Sequence, residues 1–270
     1  MMTNFIHLQT KSHYSISCGL PKTTEIVDKA VELGMPAVTL ADKNTFFGLV
    51  KFYNYALIKG IKPICGVDFD IKVNNGYSNL ILIAKNKKGL EKLFKLSTES
   101  FVKSGSEKRS IPEQDILNNA DDIVCIIPSS SPNLRNLALK KEDLLIDQHY
   151  KKYLEAFAEN LFVGVSNFSK DGYDSASALA CNIAKKNNIK AVAINDVLFL
   201  EKEDHLAHQA KVAINNATLL KDEIDNPNVS SEQYFKTEEE LAKFHELEPL
   251  KNTFEVAKLC NVFLEEGQYY

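Results

Sequence analysis

The chain has 270 residues, of which 44% are hydrophobic and 25% charged, and its formal net charge is −4. This composition is typical of a soluble globular protein, and the length is sufficient for one large α/β barrel or two smaller domains. The net charge gives no overall attraction to nucleic acid or to an anionic membrane. Any contact with DNA therefore has to be local, or has to be made by another part of a larger assembly.

The cysteines and the apolar runs exclude further classes. Five cysteines are spread along the chain without any CxxC pair, at Cys18, Cys65, Cys125, Cys181 and Cys260. An odd, scattered set argues against a disulfide framework or a zinc ribbon and favours a reducing compartment. The apolar runs are far shorter than the ~20 residues of a membrane span, and no signal peptide is visible. We therefore predict a cytoplasmic protein without membrane contact.

Short apolar runs alternate with longer amphipathic segments, which is typical of repeated βα units. The runs are rich in Val and Ile with little alternation, which indicates strands buried on both faces. In chain order the predicted strands are 5–9, 37–41, 63–73, 80–84, 123–127, 161–165 and 191–194. The predicted helices are 23–33, 48–59, 89–102, 173–187, 237–244 and 249–259. Thr237 and Glu240 match a capping box at the start of helix 237–244.

Seven strands in βα order predict a closed or nearly closed barrel rather than an open sheet. The polar, basic segment 104–112 and the segment 222–231 are predicted to be surface loops. We predict a single domain over residues 1–270. Its barrel core covers about 1–215, and a loop followed by C-terminal helices covers about 216–270.

Functional residues of a βα barrel lie at the carboxyl ends of its strands. The polar residues just after the apolar runs are Gln9, Lys11, Asp42, Lys43, Asp68, Ser129, Asn167, Asn195 and Asp196. Asn79 is the exception, because it comes just before its run. Strand ends are polar in any soluble barrel, so this ring has an ordinary structural interpretation beside a functional one.

Several strings resemble, in order and spacing, the PHP domain at the amino terminus of bacterial DNA polymerase III alpha subunits. They are FIHLQTKSHYS (5–15), ELGMPA (32–37), Asp42 with FGLVKFY (47–53), GIKPICG (60–66), AINDV (193–197) and NTFEVAKLCNV (252–262). The resemblance spans most of the chain. It implies an α/β fold, a distorted seven-stranded (β/α)7 barrel similar to a TIM barrel, with its active rim at the polar ring.

In metal-bearing members of this family, the rim holds divalent ions bound chiefly by His with Asp, Glu and Cys, and it hydrolyses phosphoesters. The positions that correspond to those ligands are Gln9, Lys11, Cys18, Asp42, Lys43, Asp68, Asn79, Ser129, Asn167, Asp196 and Leu198. Lysine repels a cation and leucine offers no donor. The resemblance therefore implies a degenerate site, with no catalytic residue and no metal ligand.

The function that this implies is a non-catalytic scaffold in DNA replication. Its expected partners are the polymerase body of the same chain and the proofreading exonuclease (epsilon) subunit, with DNA reached through the rest of the holoenzyme. No cofactor is expected for this domain. The parent chain is expected to be a DNA-directed DNA polymerase that uses Mg²⁺. The alternative is an active metal-dependent phosphoesterase or 3′–5′ exonuclease with altered ligands. A third alternative is a small-molecule phosphatase, which is less favoured because its activity would depend on an intact metal site.

Three local hypotheses stay open at this point. His205 and His208 could clip a metal from one helix face, or simply pack there. Cys18 beside His13 could be a nucleophile with a base, or an inert thiol. Lys11 and Lys43 could replace the lost metal charge by pairing with Asp42, Asp68 or Asp196, or could point into solvent.

Overall fold

The computed structural model describes residues 5–16, 18–74, 76–103, 108–140, 143–166, 173–225, 227 and 229–265, with the backbone alone at 138–140, 143–145, 147 and 173–175. Its strands are β1 Ala37–Lys43, β2 Lys62–Val73, β3 Gly76–Ala84, β4 Ile111–Pro112, β5 Ile123–Pro128, β6 Leu161–Val165 and β7 Lys190–Ala193. The helices of the first half are α1 Thr23–Glu32, α2 Leu49–Ile58, α3 Lys87–Lys103 and α4 Glu113–Leu117. Those of the second half are α5 Pro132–Lys140, α6 Asp143–Phe157, α7 Tyr173–Lys186, α8 His205–Asn216, α9 Leu220–Asp225, α10 Glu238–Leu241 and α11 Leu247–Leu259.

The described strands form one curled sheet in the order β1-β2-β3-β5-β6-β7, with the short β4 added beside β2. β1 and β2 are parallel, as are β5, β6 and β7, whereas β3 is antiparallel to both of its neighbours. β2 and β3 form a hairpin in which Val73 pairs with Gly76, without a helix between the two strands. This hairpin departs from strict βα order and distorts the barrel.

The segment 7–11, here called the closing segment, bonds on one side to β1 and on the other side to Val197, which follows β7. The amides of Thr39 and Ala41 in β1 donate to the carbonyls of His7 (3.3 Å) and Thr10 (2.8 Å). On the other side, the amide of Val197 donates to the carbonyl of Gln9 (2.9 Å). The prediction of a strand at 5–9 is wrong in detail, since these residues form no named strand and the formal bridge lies just beyond them, between Thr10 and Val197. The mixed α/β fold with its curled seven-stranded sheet confirms the predicted distorted barrel.

Alternate residues of the strands divide the core into two layers, because successive side chains of a strand point to opposite faces. The inner layer contains Ile64, Ile81, Ile83, Val124, Ile126, Phe162 and Val192. The outer layer packs against the surrounding helices. The C-terminal helix α11 adds Val256, Ala257 and Cys260 to the inner layer. Lys62 at the start of β2 donates to the carbonyl of Ala257 (2.7 Å), so α11 covers the end of the barrel where the parallel strands begin.

Several predictions about single elements can be compared with the structure. The helices predicted at 23–33, 48–59, 89–102, 173–187, 237–244 and 249–259 are present with shifted ends. The capping box is confirmed, since Thr237 Oγ1 accepts from the amide of Glu240 and the Glu240 carboxylate accepts from the amide of Thr237. No helix in the described part of the chain has the length and apolar character needed to cross a bilayer.

Two predicted surface loops need correction. In segment 104–112, Ile111 is 1% exposed and pairs with Ile71 of β2. Its apolar side chain is buried when the short strand β4 adds to the sheet, so this end of the segment is not a surface loop. In segment 222–231, helix α9 continues to Asp225. Helices α4, α5 and α6 were not predicted from the sequence.

His7 links the N-terminal segment to the C-terminal region. Its ring is 1% exposed, packs against Phe5 and Phe235, and donates through Nε2 to the carbonyl of Lys236 (2.8 Å). Burial lowers the pKa of His7 to about 4, with the Lys236 charge acting in the same direction. The folded protein therefore keeps this imidazole neutral where the unfolded chain already binds a proton.

We expect acid to destabilise the fold through His7. Between about pH 6.5 and about pH 4 the unfolded chain binds one proton more than the folded protein at this position, so the free energy of unfolding falls as pH falls. The loss from His7 between about pH 7 and pH 4.5 should be about 2 kcal/mol. Urea unfolding at both pH values measures it. His7→Gln, which does not titrate, should reduce the loss, and an unchanged loss in that variant would contradict the assignment.

Candidate functional site

Most of the predicted rim residues lie at one end of the barrel. Lys43 ends β1, Asp68 lies in β2 and Asp196 follows β7, beside Lys11 of the closing segment. Asn79 joins them because β3 runs antiparallel to its neighbours, which brings the first half of this strand to the rim where the parallel strands end. The strand direction therefore explains the one residue that precedes its apolar run.

Lys11 lies almost fully buried between two carboxylates. Its ammonium group is 3.0 Å from Oδ2 of Asp68 and forms a second ion pair with Oδ1 of Asp196. Asp196 has a left-handed backbone (φ 39°), and its other oxygen accepts from the Gln233 amide (3.2 Å). Sequence reasoning missed Gln233, which lies 37 positions away and carries no local signal. The hypothesis that Lys11 pairs with former ligand carboxylates matches this geometry.

Lys43 extends the same arrangement toward solvent. Its ammonium group is 2.9 Å from Asp68 and 3.0 Å from Asp70, and its side chain is 22% exposed. Asp70 was not predicted, although its two-residue spacing from Asp68 in a strand places both side chains on one face. We call the alternating series Asp196, Lys11, Asp68, Lys43 and Asp70 the rim ion-pair chain.

Asp68 is the centre of this chain, and both of its oxygens are fully used. Oδ2 accepts from Gln9 Nε2 (3.1 Å) and pairs with Lys11 (3.0 Å). Oδ1 accepts from Lys43 Nζ (2.9 Å) and from Asn79 Nδ2 (3.0 Å). A carboxylate offers about four lone-pair positions. All four positions of Asp68 are therefore occupied by donors from the chain itself.

The electrostatics of the rim ion-pair chain favour the charged forms. Burial by itself would raise the pKa of Asp68, but Lys43 and Lys11 overcome this and hold that pKa below its usual range. Burial would likewise lower the pKa of Lys11, yet Asp196 and Asp68 hold it above its usual value. The pKa of Lys43 is raised for the same reason, by Asp68 and Asp70 against the effect of burial. Asp68, Lys11 and Lys43 therefore stay charged at neutral pH.

Asp42, which the sequence offered as a possible ion-pair partner of Lys11 or Lys43, bonds to serine residues instead. Its carboxylate accepts from the amide of Ser12 (2.7 Å), from the Ser12 hydroxyl (2.8 Å) and from the Ser15 hydroxyl (2.6 Å). Burial raises the pKa of Asp42 against these hydrogen bonds. Asp42 thus fixes the loop that follows Lys11, and its ion pairing with either lysine is not seen among the described contacts.

The open hypotheses for Cys18 and the paired histidines can be judged from their contacts. Burial raises the pKa of the Cys18 thiol, which opposes thiolate formation and favours an inert thiol. His208 Nε2 donates to the carbonyl of Cys18 (2.6 Å), whereas His205 Nε2 donates to the carbonyl of Val229 (3.0 Å). Both imidazoles also pack on Phe199, so they serve as packing groups directed to separate carbonyls.

Ser129 and Leu198 do not join the rim ion-pair chain. The Ser129 hydroxyl is bonded to the hydroxyls of Ser166 (3.0 Å) and Ser177 (3.1 Å). Leu198 is a buried apolar residue, 3% exposed. Asn167 lies outside the described residues. Ser129 and Leu198 are therefore accounted for by packing and local hydrogen bonds.

The donor set at this rim does not fit a cluster of divalent cations. The carboxylates of Asp42, Asp68 and Asp196 are already engaged by ammonium, amide or hydroxyl donors. No three His, Cys, Asp or Glu side chains in the described part of the chain are placed to hold a metal ion. A metal would have to displace buried ammonium groups that it also repels. Metal content stays a prediction for elemental analysis.

Comparison with known families decides where this chain belongs. The model of the PHP domain family matches residues 7–167, which is more than half of the chain. The chain belongs to the PHP domain family. The match begins in the segment that closes the barrel and covers β1 through β6, so this PHP domain carries Lys11, Lys43 and Asp68 inside the matched region.

This PHP domain is similar over its whole length to DNA polymerase III alpha subunits. It is 32% identical to that of Buchnera aphidicola subsp. Acyrthosiphon pisum over 273 residues, covering 98% of this chain and 24% of the relative. It is 32% identical to that of Escherichia coli strain K12 over 272 residues, covering 98% of this chain and 23% of the relative. The Pseudomonas aeruginosa subunit is 31% identical over 276 residues, which is 100% of this chain and 24% of the relative. The chain thus spans about a quarter of these relatives' length.

Two solved structures also resemble this PHP domain. An amidohydrolase from Chromobacterium violaceum has a TM-score of 0.48 at 12% identity, over 72% of this chain and 87% of that one. A putative metal-dependent phosphoesterase from Bifidobacterium adolescentis has a TM-score of 0.46 at 11% identity, over 71% and 86% of the two chains.

Proposed function

We propose that this chain is the PHP domain of a DNA polymerase III alpha subunit and serves there as a non-catalytic scaffold in DNA replication. Similarity to alpha subunits along 98% to 100% of the chain supports the assignment to that protein. The proposed parent chain is a cytoplasmic DNA-directed DNA polymerase that uses Mg²⁺ in a separate domain.

The observation that carries the non-catalytic part is the saturation of Asp68. Four donors from the chain fill its acceptor positions, and two of them are buried or half-buried ammonium groups. Metal-assisted hydrolysis requires carboxylates and neutral imidazoles that are free to bind the ion. At this rim the ammonium groups supply the positive charge instead, and they supply no open coordination position for water or phosphate.

The scaffold part has two proposed contacts. The first is the polymerase body of the same chain, and the second is the separate proofreading exonuclease subunit, as the family resemblance implies. DNA is reached through the rest of the holoenzyme. Delegating proofreading to a partner is consistent with a rim that has lost its hydrolytic ligands.

Metal content and nuclease activity test the non-catalytic part. We expect purified protein to contain far less than one equivalent of Zn or Mn. We also expect it to leave single-stranded DNA and phosphoester substrates intact when either ion is added. Stoichiometric metal, together with hydrolysis that Asp196→Asn abolishes, would instead support the alternative of an active phosphoesterase or exonuclease. Asp28→Asn, a surface carboxylate that bonds Lys59 and Tyr55, is the matched control.

Calorimetric titration with the cognate exonuclease subunit tests the docking part separately. We expect saturable binding of the exonuclease to this chain. Absence of heat and of co-elution on gel filtration would end the docking proposal. That result would leave the assignment to the alpha subunit in place.

A further inference from the structure

A cleft of about 510 Å³ opens beside the rim, between the loop after Lys11 and the segment that follows β1. Its walls include Tyr14, Lys43, Phe47, Asp70, Lys108 and Arg109. The rim ion-pair chain reaches this cleft only through Lys43 and Asp70. Lys108 adds a further contact to Asp70 (3.6 Å), whereas, among the described contacts, Tyr14, Phe47 and Arg109 form no ion pair with the rim ion-pair chain.

Large apolar side chains are exposed at the mouth of this cleft. Ile16 is 75% exposed and Phe47 is 66% exposed, and both line the cleft. The ring of Phe47 lies 5.9 Å from that of Phe101 on α3. Apolar side chains gathered at a concave surface mark a place where another molecule packs, because single exposed apolar residues are otherwise scattered.

Arg109 supplies the second feature of the cleft. Its guanidinium group stacks on the ring of Phe101 at 3.9 Å from the centroid. Lys43 and Lys108 are 3.0 Å and 3.6 Å from the carboxylate of Asp70. Arg109, in contrast, is exposed and forms no ion pair with any described residue. Stacking fixes the plane of the guanidinium and leaves its N–H edges available for a carboxylate.

Charge and shape favour an acidic peptide over nucleic acid here. A nucleic-acid strand needs several unpaired cations along its backbone and flat rings for its bases. The described cleft offers Arg109 as its one unpaired cation, because Lys43 and Lys108 both pair with Asp70, and one cation is too few to follow a phosphate backbone. A peptide with one carboxylate beside a large apolar side chain uses Arg109, Phe47 and Ile16 together.

We propose that this cleft binds a short acidic segment of a partner protein. An Asp or Glu of the segment contacts the free edge of Arg109, and a neighbouring Phe or Leu packs on Phe47 and Ile16. Such a peptide-binding site goes beyond the scaffold function. The proposal does not depend on which protein supplies the acidic segment.

Selection from a displayed library of short random peptides tests the proposal, with purified chain as target and the Arg109→Gln variant as counter-target. We expect enrichment of peptides with Asp or Glu beside Phe or Leu. Fluorescence anisotropy with the best synthetic peptide should then show about tenfold weaker binding to Arg109→Gln and to Phe47→Ser. Lys95→Gln on α3 and Ile58→Ser at the end of α2, both exposed, should bind as the unchanged chain does.

Three results would overturn the proposal. The first is a selection that yields no peptide whose binding depends on Arg109. The second is equal weakening by Lys95→Gln, which would indicate attraction to general surface charge. The third is tighter binding of oligothymidylate than of the selected peptide, with loss in Arg109→Gln, which would make the cleft a nucleic-acid site. Circular dichroism melts of the variants verify that each is folded. None of these results affects the titration with the exonuclease.

Discussion

Replacing Lys11 with methionine should lower the free energy of unfolding by about 3 to 5 kcal/mol. Methionine keeps most of the side-chain length but removes the charge between Asp68 and Asp196. These two carboxylates were brought together around Lys11, and without it the buried Asp68 keeps only Lys43 as a cationic partner at close range. Removing one member of a buried ion pair leaves an uncompensated charge, which is the costly case. Urea unfolding at about pH 7 measures the loss.

Lys22→Met is the matched control for Lys11→Met. Lys22 is 68% exposed and pairs with Glu25 on the surface, so its loss should cost less than about 1 kcal/mol. Adding Asp196→Asn to Lys11→Met should recover part of the lost stability, because it removes the carboxylate that has lost its ammonium partner. If Lys11→Met and Lys22→Met unfold at the same urea concentration, the rim ion-pair chain does not stabilise the fold.

The Lys11→Met difference should also depend on pH with a defined sign. The pKa of Asp68 is held below its usual range, so this carboxylate stabilises the fold above about pH 4 and loses that effect as pH falls further. The pKa of Lys11 is raised, so its contribution is present below about pH 10 and is lost as pH rises beyond that. The free energy of unfolding that Lys11→Met loses relative to the unchanged chain should be constant from about pH 5 to 9. This loss should become smaller in acid.

Replacing Gly19 with alanine should destabilise the protein by about 3 kcal/mol through a steric clash. A Cβ atom at Gly19 would lie 2.0 Å from the carbonyl oxygen of Ser12 and 2.6 Å from its carbonyl carbon. Both contacts are with backbone, so no side-chain rotation relieves them. Ser12 is also the residue whose amide and hydroxyl bond to Asp42, so the displacement would spread into the loop that closes the rim. Thermal melting and urea unfolding measure the effect.

Gly60→Ala separates this clash from the backbone cost of replacing a glycine. Gly60 has a left-handed backbone (φ +75°), and a Cβ there would meet no atom within 4 Å. Its replacement should therefore cost about 1 kcal/mol, from conformation alone. A Gly19→Ala variant no less stable than Gly60→Ala would show that the backbone of Ser12 can move away from Gly19 without loss of stability.

The composition of the rim was predictable because it depends on local identities. Lys11, Lys43, Asp68 and Asp196 stand at strand ends or beside family motifs, and their chemistry alone predicts a poor fit to a metal cluster, without knowledge of their distances. The barrel class was predictable for a similar reason, since Val- and Ile-rich runs in βα order leave few architectures. Helix α6 has Ile146, Tyr150, Tyr153 and Phe157 buried at helical spacing, so its sequence carried a signal that the prediction overlooked.

The partners of each charge could be known only from the fold. Asp196 lies 185 positions from Lys11, and Gln233 a further 37 positions from Asp196. Asp42, next to Lys43 in sequence, bonds to Ser12 and Ser15 instead, because neighbouring residues of a strand point to opposite faces. Asn79 reaches Asp68 because the hairpin reverses β3. Residue types set which charges are present, but strand direction and packing set the distances between them, and in a buried site distance decides which charges are neutralised.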